Sequence, residues 1–182
     1  MTFTDPESRI LKTKDGYIQG YNAQAAVDGE AQIIVAQTLT NSSSDQAQLA
    51  PLLDGIRANL GRNPTEASAD TGYCSDANLR TIQKRRIEGY IATGRQKHGT
   101  KSATAKKPDT PGSRVARMTT KLKRAGYRSR YRLRKQIVEP VFGQIKQARG
   151  FRQFLLRGIE KVAAEWALIC TAHNLAKLAR AA

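Results

Sequence analysis

The chain has 182 residues, 40% of them hydrophobic and 25% charged, and its 31 Lys or Arg against 15 Asp or Glu give a net charge of +16. That is enough apolar material for one domain with a core, and too much for a disordered chain. Two cysteines without a CxxC pair argue against a disulfide framework or structural zinc; no apolar run spans a bilayer and the start lacks a signal-peptide core, so a cytoplasmic protein with no membrane partner is expected.

Residues 1–16 are polar, carry an Asp5-Pro6 turn signal and are expected to form a loose lead-in; the remaining residues, 17–182, form one domain. In YIQGYNAQAAVD, residues 17–28, Tyr17, Tyr21, Ala23, Ala25 and Val27 alternate as in a strand. Asp28-Gly29 is a turn dipeptide, and AQIIVAQTLT completes an antiparallel hairpin. Ser44 is the expected N-cap of a helix whose Leu49, Leu52, Leu53, Ile56 and Leu60 follow helical spacing until Gly61. Residues 66–70 predict a short buried strand, Ser75 caps a helix over DANLRTIQKRR, and residues 89–93 predict a further strand, so these two strands should pair in parallel. Residues 94–125, rich in Gly, Ser, Lys and Pro, predict a flexible basic loop. From about residue 127 the pattern is helical. One segment runs from Arg132 to Arg149, Gly150 and Gly158 bracket a link, and Ile159, Val162, Trp166, Ile169 and His173 mark the apolar stripe of a final helix. The order of strand, strand, helix, strand, helix, strand, helix is that of an α/β RNase H-like fold lacking its first central strand, with a helical C-terminus.

The positive charge is concentrated. Residues 1–92 hold 9 Lys or Arg against 11 Asp or Glu, whereas residues 93–182 hold 22 against 4. A field of that kind attracts polyanions and points to nucleic acid. Between Asp109 and Glu160 the one acidic residue is Glu139, among fourteen Lys or Arg. Metal-assisted phosphodiester cleavage needs carboxylates that converge from strand ends and a facing helix, and Mg²⁺ takes hard oxygen ligands. Asp70, at the predicted end of a strand, and Glu139, on a distant helix, suit that chemistry. Simpler roles compete. Asp70 can order the turn at Thr71-Gly72-Tyr73. Glu139 can be a first-turn carboxylate, with Pro140 at the first helical position, or pair with Lys135 one turn earlier. His173, on an apolar stripe, reads as packed rather than ligating, and neither Cys74 nor Cys170 has a His nearby in sequence.

Four segments in order, GYNAQAAVD, ADTGYCS, IATGRQ and QIVEPVFGQIKQARGFRQFLLRG leading into KVAAEWALICTAHNLAKL, resemble the C-terminal part of a DDE transposase of bacterial insertion sequences, in the group called insertion sequence family four. The resemblance implies metal-dependent cleavage and transfer of DNA strands at insertion-sequence ends. It implies Asp70 and Glu139 as catalytic metal ligands for Mg²⁺ or Mn²⁺, and Arg132, Lys135, Lys146, Arg149 and Arg152 as DNA contacts. The family's Tyr, Arg, Glu and Lys signature is only partly kept. Lys146 fills the Lys position, Lys135 replaces the Arg, and Arg132 stands at the Tyr position with Tyr131 one place early. The resemblance also implies a first Asp on a central strand ahead of the hairpin, and the matching segments begin after that point. Asp5 and Asp28 are the candidates to replace it. A truncated transposase is therefore expected, acting on DNA, as a possible homo-oligomer or with a complementing N-terminal fragment. The alternatives are a catalytically inactive DNA-binding remnant and a structural RNA-binding protein.

Overall fold

The structure is a computed structural model that describes residues 4–13, 16–94, 110, 112–125 and 134–181, with backbone alone for 125, 134 and 135. Among these residues the strands form three two-stranded sheets. Arg9–Thr13 (β1) and Gly16–Gly20 (β2) pair antiparallel, as do Asn22–Val27 (β3) and Ile34–Thr40 (β4), whereas Glu66–Ala69 (β5) and Glu88–Ile91 (β6) pair in parallel. The helices are Leu49–Leu60 (α1), Asp76–Lys84 (α2), Arg114–Ala125 (α3), Arg134–Gly143 (α4) and Ile159–Ala181 (α5).

Local chemistry accounts for most boundaries. Gly61 ends α1 in a left-handed conformation, with φ 71°, and donates its N–H to Arg57 O. Pro51 sits third in α1, where a missing N–H costs no intrahelical bond. A single 3₁₀ turn, Gln46–Gln48, leads into α1, so Ser44 is not its cap. Ser75 does cap α2, its Oγ accepting Asn78 N–H at 3.2 Å. In the turn between β3 and β4, Asp28 Oδ2 accepts the N–H groups of Glu30 and Ala31.

Three expectations need revision. Residues 9–13 form strand β1, although the lead-in was expected to be loose. The strand expected over 17–28 is two strands, parted at Tyr21, whose hydroxyl donates to both carboxylate oxygens of Asp5 at 2.8 and 2.9 Å. The expected loop over 94–125 contains α3, and its residues 95–109 and 111 lie outside the described residues. Helix α3 is strongly amphipathic. Met118 and Leu122 are buried, and its length of lysines and arginines had masked that stripe.

Two cores flank the hairpin β3–β4. On one side Leu49, Leu52, Leu53 and Ile56 of α1 pack with Leu79 and Ile82 of α2, Ile91 of β6, and Met118 and Leu122 of α3. On the other, Val141 of α4, Ile145, and Trp166, Ile169 and Cys170 of α5 pack with Ile34 of β4. Asn174 fastens α5 to that strand: its Oδ1 accepts Ile34 N–H and its Nδ2 donates to Ile34 O, both at 2.8 Å. Among the described residues β3 forms a strand ladder with β4 alone and β5 with β6 alone. Yet Ala26 of β3 and Ala67 and Ala69 of β5 pack against the same core. The two sheets share a core with no ladder between them.

Candidate nucleic-acid interface and carboxylate pair

Helix α4 continues through Pro140, which is its seventh residue. Glu139 is therefore not in a first turn, and Pro140 is not a helix start. A proline in a helix interior removes the N–H that would reach the carbonyl four residues back. That carbonyl, Gln136 O, instead accepts Gln32 Nε2 at 3.2 Å. Gln32, held at φ 57°, also presents its backbone O to His173 Nε2 at 3.0 Å and its Oε1 to Lys177 Nζ at 2.8 Å. One turn residue thus ties the hairpin to both C-terminal helices and fixes how α4 displays Glu139. Glu139 itself is exposed. The side chain of Lys135, its expected ion-pair partner, lies outside the described residues.

After α4 the chain widens into one π-helical turn, Gln144–Ala148, which ends at Arg149. Lys146 lies in that turn, with Nζ 5.7 Å from the centroid of the Phe142 ring. Phe142 stacks on Trp166 at 5.9 Å, and Phe154 meets Trp166 edge-on at 6.3 Å. These rings border a groove of about 1070 Å³ between the β1–β2 hairpin, β3, the π-helical turn and residues 151–157. Lys12, Lys146, Arg152 and Arg157 line it, with Asp5 and Asp45 also on its walls. Trp166 is buried and Phe142 and Phe154 are half-buried, whereas Phe151 on the same groove is exposed. Cations beside partly accessible rings suit a nucleic-acid strand, since the cations meet phosphates and bases can stack on rings. Of the five DNA contacts implied by the resemblance, Lys146 and Arg152 reach this groove. Arg149 is half-buried, and its Nη1 is buried with no hydrogen-bond partner among the described residues. Arg152 Nη2 donates to Gln147 Oε1 at 2.5 Å. Arg132 lies outside the described residues, as does the side chain of Lys135.

Asp70 follows β5 and begins a 3₁₀ turn, Thr71–Tyr73; its Oδ1 accepts Gly72 N–H at 2.9 Å. The turn-ordering role is therefore real, and it occupies one of the two oxygens. A second carboxylate stands beside it, one that the sequence reading passed over. A Cβ placed on Gly72 would lie 2.4 Å from Asp45 Oδ2 and 3.2 Å from Asp70 Oδ1, so both acids crowd the same point. Asp45 is aimed there by Asn22 Nδ2 and Gln24 Nε2, each donating to Oδ1 at 2.7 Å. Tyr73, whose hydroxyl donates to Gln24 Oε1, has its pKa raised by burial and then by the charges of Asp45 and Asp70. Asp28 is committed to its turn and Asp5 accepts from Tyr21, so neither of the expected substitutes stands in Asp45's position. The one sequence hint of this pair is polar: Asn22 and Gln24 lie on the same face of β3, an unusual place for two amides.

A divalent ion shared by converging carboxylates needs more donors than this pair offers. Among the described residues no three His, Cys, Asp or Glu side chains gather closely enough to hold a metal. Asp70 and Glu139 do not lie in such a group of three among the described residues. His173 is fully buried and burial lowers its pKa, as suits a neutral packed ring. Burial pushes the Cys170 thiol up to about 12 and raises that of Cys74, which argues against thiolate chemistry.

A family model described as transposase DDE domain matches residues 4–175. No curated protein and no solved structure matches the chain. Among the described residues no helix is long and apolar enough to cross a membrane.

Proposed function

Because the chain belongs to the transposase DDE domain family, which acts in DNA transposition, we propose that it holds a DNA strand in the groove bordered by Lys146 and Arg152. The observation that supports this reading is the gathering of those cations with the edge of half-buried Phe142 and with exposed Phe151 along one groove. Arg132, Lys135 and Arg149 remain proposed DNA contacts on the family resemblance alone. The four matching segments support a place in the group called insertion sequence family four. Binding of short duplexes by this chain, weakened by added salt and by Lys146→Ala with Arg152→Ala, tests the reading. Binding that ignores both substitutions removes the groove from it. Tighter binding to structured RNA than to insertion-sequence ends favours the RNA-binding alternative.

Strand cleavage and transfer belong, in this reading, to a completed RNase H-like domain. The unladdered edges of β3 and β5 border one core, a space that suits a single strand antiparallel to β3 and parallel to β5. A strand supplied by a complementing N-terminal fragment and carrying a carboxylate would join Asp70 and Glu139, the acids this chain contributes, and Mg²⁺ or Mn²⁺ is the ion expected there. In this reading the chain alone lacks that strand's carboxylate and is expected to bind DNA without cleaving it. Nicking of supercoiled DNA should therefore be absent for the chain alone, appear with the added fragment and either ion, and vanish again with Glu139→Ala. Equal nicking by the Glu139→Ala protein would remove that residue from the chemistry. No gain in melting temperature on mixing the pieces would refute strand insertion.

A further inference from the structure

Residues 151–157 form one wall of the groove and have no regular secondary structure. Phe151 and Arg152 still donate their N–H groups to Ile145 O and Gly150 O. Beyond them, among the described residues, no backbone carbonyl accepts an N–H from Gln153 to Gly158. Phe154 turns inward onto Trp166, whereas Leu155, Leu156 and Arg157 stand exposed. A segment so poor in backbone bonds keeps one shape only where other groups hold it. Here an acid does so. Glu165, half-buried on α5, accepts Leu155 N–H with Oε1 at 2.8 Å and Oε2 at 3.1 Å, and Leu156 N–H with Oε2 at 2.9 Å. Two consecutive N–H groups turned to one point suit an anion. A second acid closes the far end of the loop: Glu7 Oε2 accepts Ile159 N–H at 2.9 Å.

The surroundings of Glu165 make its presence there informative. Arg152 and Arg157 line the same wall, and exposed Lys161 lies one turn earlier on α5. Yet among the described residues none of these cations forms an ion pair with Glu165. An acid beside a groove for nucleic acid repels phosphates, so its charge alone gives it no use there. We propose that Glu165 is a positioning residue for nucleic-acid binding: by holding the N–H groups of Leu155 and Leu156, it fixes the loop that carries Arg152 and Arg157 into the groove. This role presupposes that the groove binds DNA, and it belongs to a residue that touches no phosphate. Glu165→Gln separates positioning from charge, because the two give opposite signs. On charge alone, losing an acid tightens binding. Positioning requires binding to weaken, since the new amide nitrogen sets a donor against Leu155 N–H and the loop loses its hold.

Fluorescence anisotropy with a short duplex across a salt series tests this. Glu165→Gln should bind more weakly than the parent, with a log–log salt slope lower by about one to two, for the contacts of Arg152 and Arg157. With Arg152→Ala and Arg157→Ala already in place, the same change should no longer weaken the residual binding, whereas a merely structural loss weakens it in both backgrounds. Hydrogen exchange checks the anchor in the parent itself. Its Leu155 and Leu156 amides should be protected, and in Glu165→Gln they should lose protection while those of α1 keep it. Glu165→Gln that binds as tightly as the parent, or more tightly, overturns the proposal. So does equal weakening in both backgrounds, and so do Leu155 and Leu156 amides that exchange unprotected in the parent. Each of these leaves the groove standing, whereas a parent that binds no duplex overturns the groove and the positioning role together.

Discussion

The pairing of Asp45 with Asp70 around Gly72 can be measured by substituting the glycine. Gly72→Ala places a Cβ 2.4 Å from Asp45 Oδ2, well inside contact distance. Asp45 cannot simply swing aside, because Asn22 and Gln24 both hold its other oxygen at 2.7 Å. The collision should cost about 1–3 kcal/mol, the range of an overpacked site. Asp45→Ala alone strips an ionised acceptor from two amides and should cost about 1.5–3 kcal/mol. In that background the 2.4 Å clash is gone, with Asp70 Oδ1 at 3.2 Å and the retained Cβ of residue 45 at 3.3 Å as the remaining close contacts, and Gly72→Ala should be far milder. The two changes are thus expected to couple by about 1–3 kcal/mol, far from additivity. Equilibrium urea unfolding of the four proteins at neutral pH yields the cycle. Additivity within about 0.5 kcal/mol would mean that the two residues do not meet, and the carboxylate pair would be lost with them.

Other consequences are open to measurement. Lys146→Ala and Arg152→Ala should each lower the salt dependence of DNA affinity by about one in the log–log slope, with little change in sequence preference, as read by fluorescence anisotropy across a salt series. Asn174→Ala removes both bonds to Ile34 and should cost about 1–3 kcal/mol, or about 2–12 °C in melting temperature by circular dichroism for a chain of this size. Docking of α3 should weaken in acid. The Arg114 guanidinium holds Asp76 below its usual 3.8, and Lys121 holds Glu88 below its usual 4.5. Carboxylates depressed in the folded state stabilise it above those usual values, and the contribution is lost as pH falls through the lower folded ones. Protection of α3 amides, taken relative to their intrinsic exchange rate at each pH, should therefore fall below about pH 4, and Asp76→Asn with Glu88→Gln should flatten the change.

What the sequence disclosed followed from short-range signals. The Asp28-Gly29 turn, the Ser75 cap, the Gly61 stop and the Val162–His173 stripe are each decided within a few residues, and each stands in the structure. Strand β1 was hidden because its partner, β2, runs on into β3 with one residue between them, and alternation by itself does not reveal such a break. Helix α3 was hidden by composition: Val115, Met118 and Leu122 are spaced for a helix, but the lysines and arginines around them read as loop. Asp45 was out of reach for a different reason. Its place beside Asp70 depends on contacts across 25 residues, carried by amides of β3 that no local pattern links to either acid.

Glu139 shows how a sequence rule can be right and its application wrong. Proline is costly inside a helix, by about 3 kcal/mol, which is why Pro140 suggested a helix start. The cost has two parts, a lost hydrogen bond and a ring that crowds the preceding turn. Here the first part is offset from outside the helix, since Gln32 donates to the carbonyl that Pro140 leaves free. Gln32 can do so because its left-handed backbone turns its side chain toward α4 while its own carbonyl meets His173. The same residue that satisfies the helix therefore anchors it to the hairpin. A regular helix at this point would have no free carbonyl to offer, and α4 would lack this tether between the hairpin and the turn that displays Glu139. The proline is thus part of how the acid is positioned, and its neighbour in sequence is explained by a partner more than a hundred residues away.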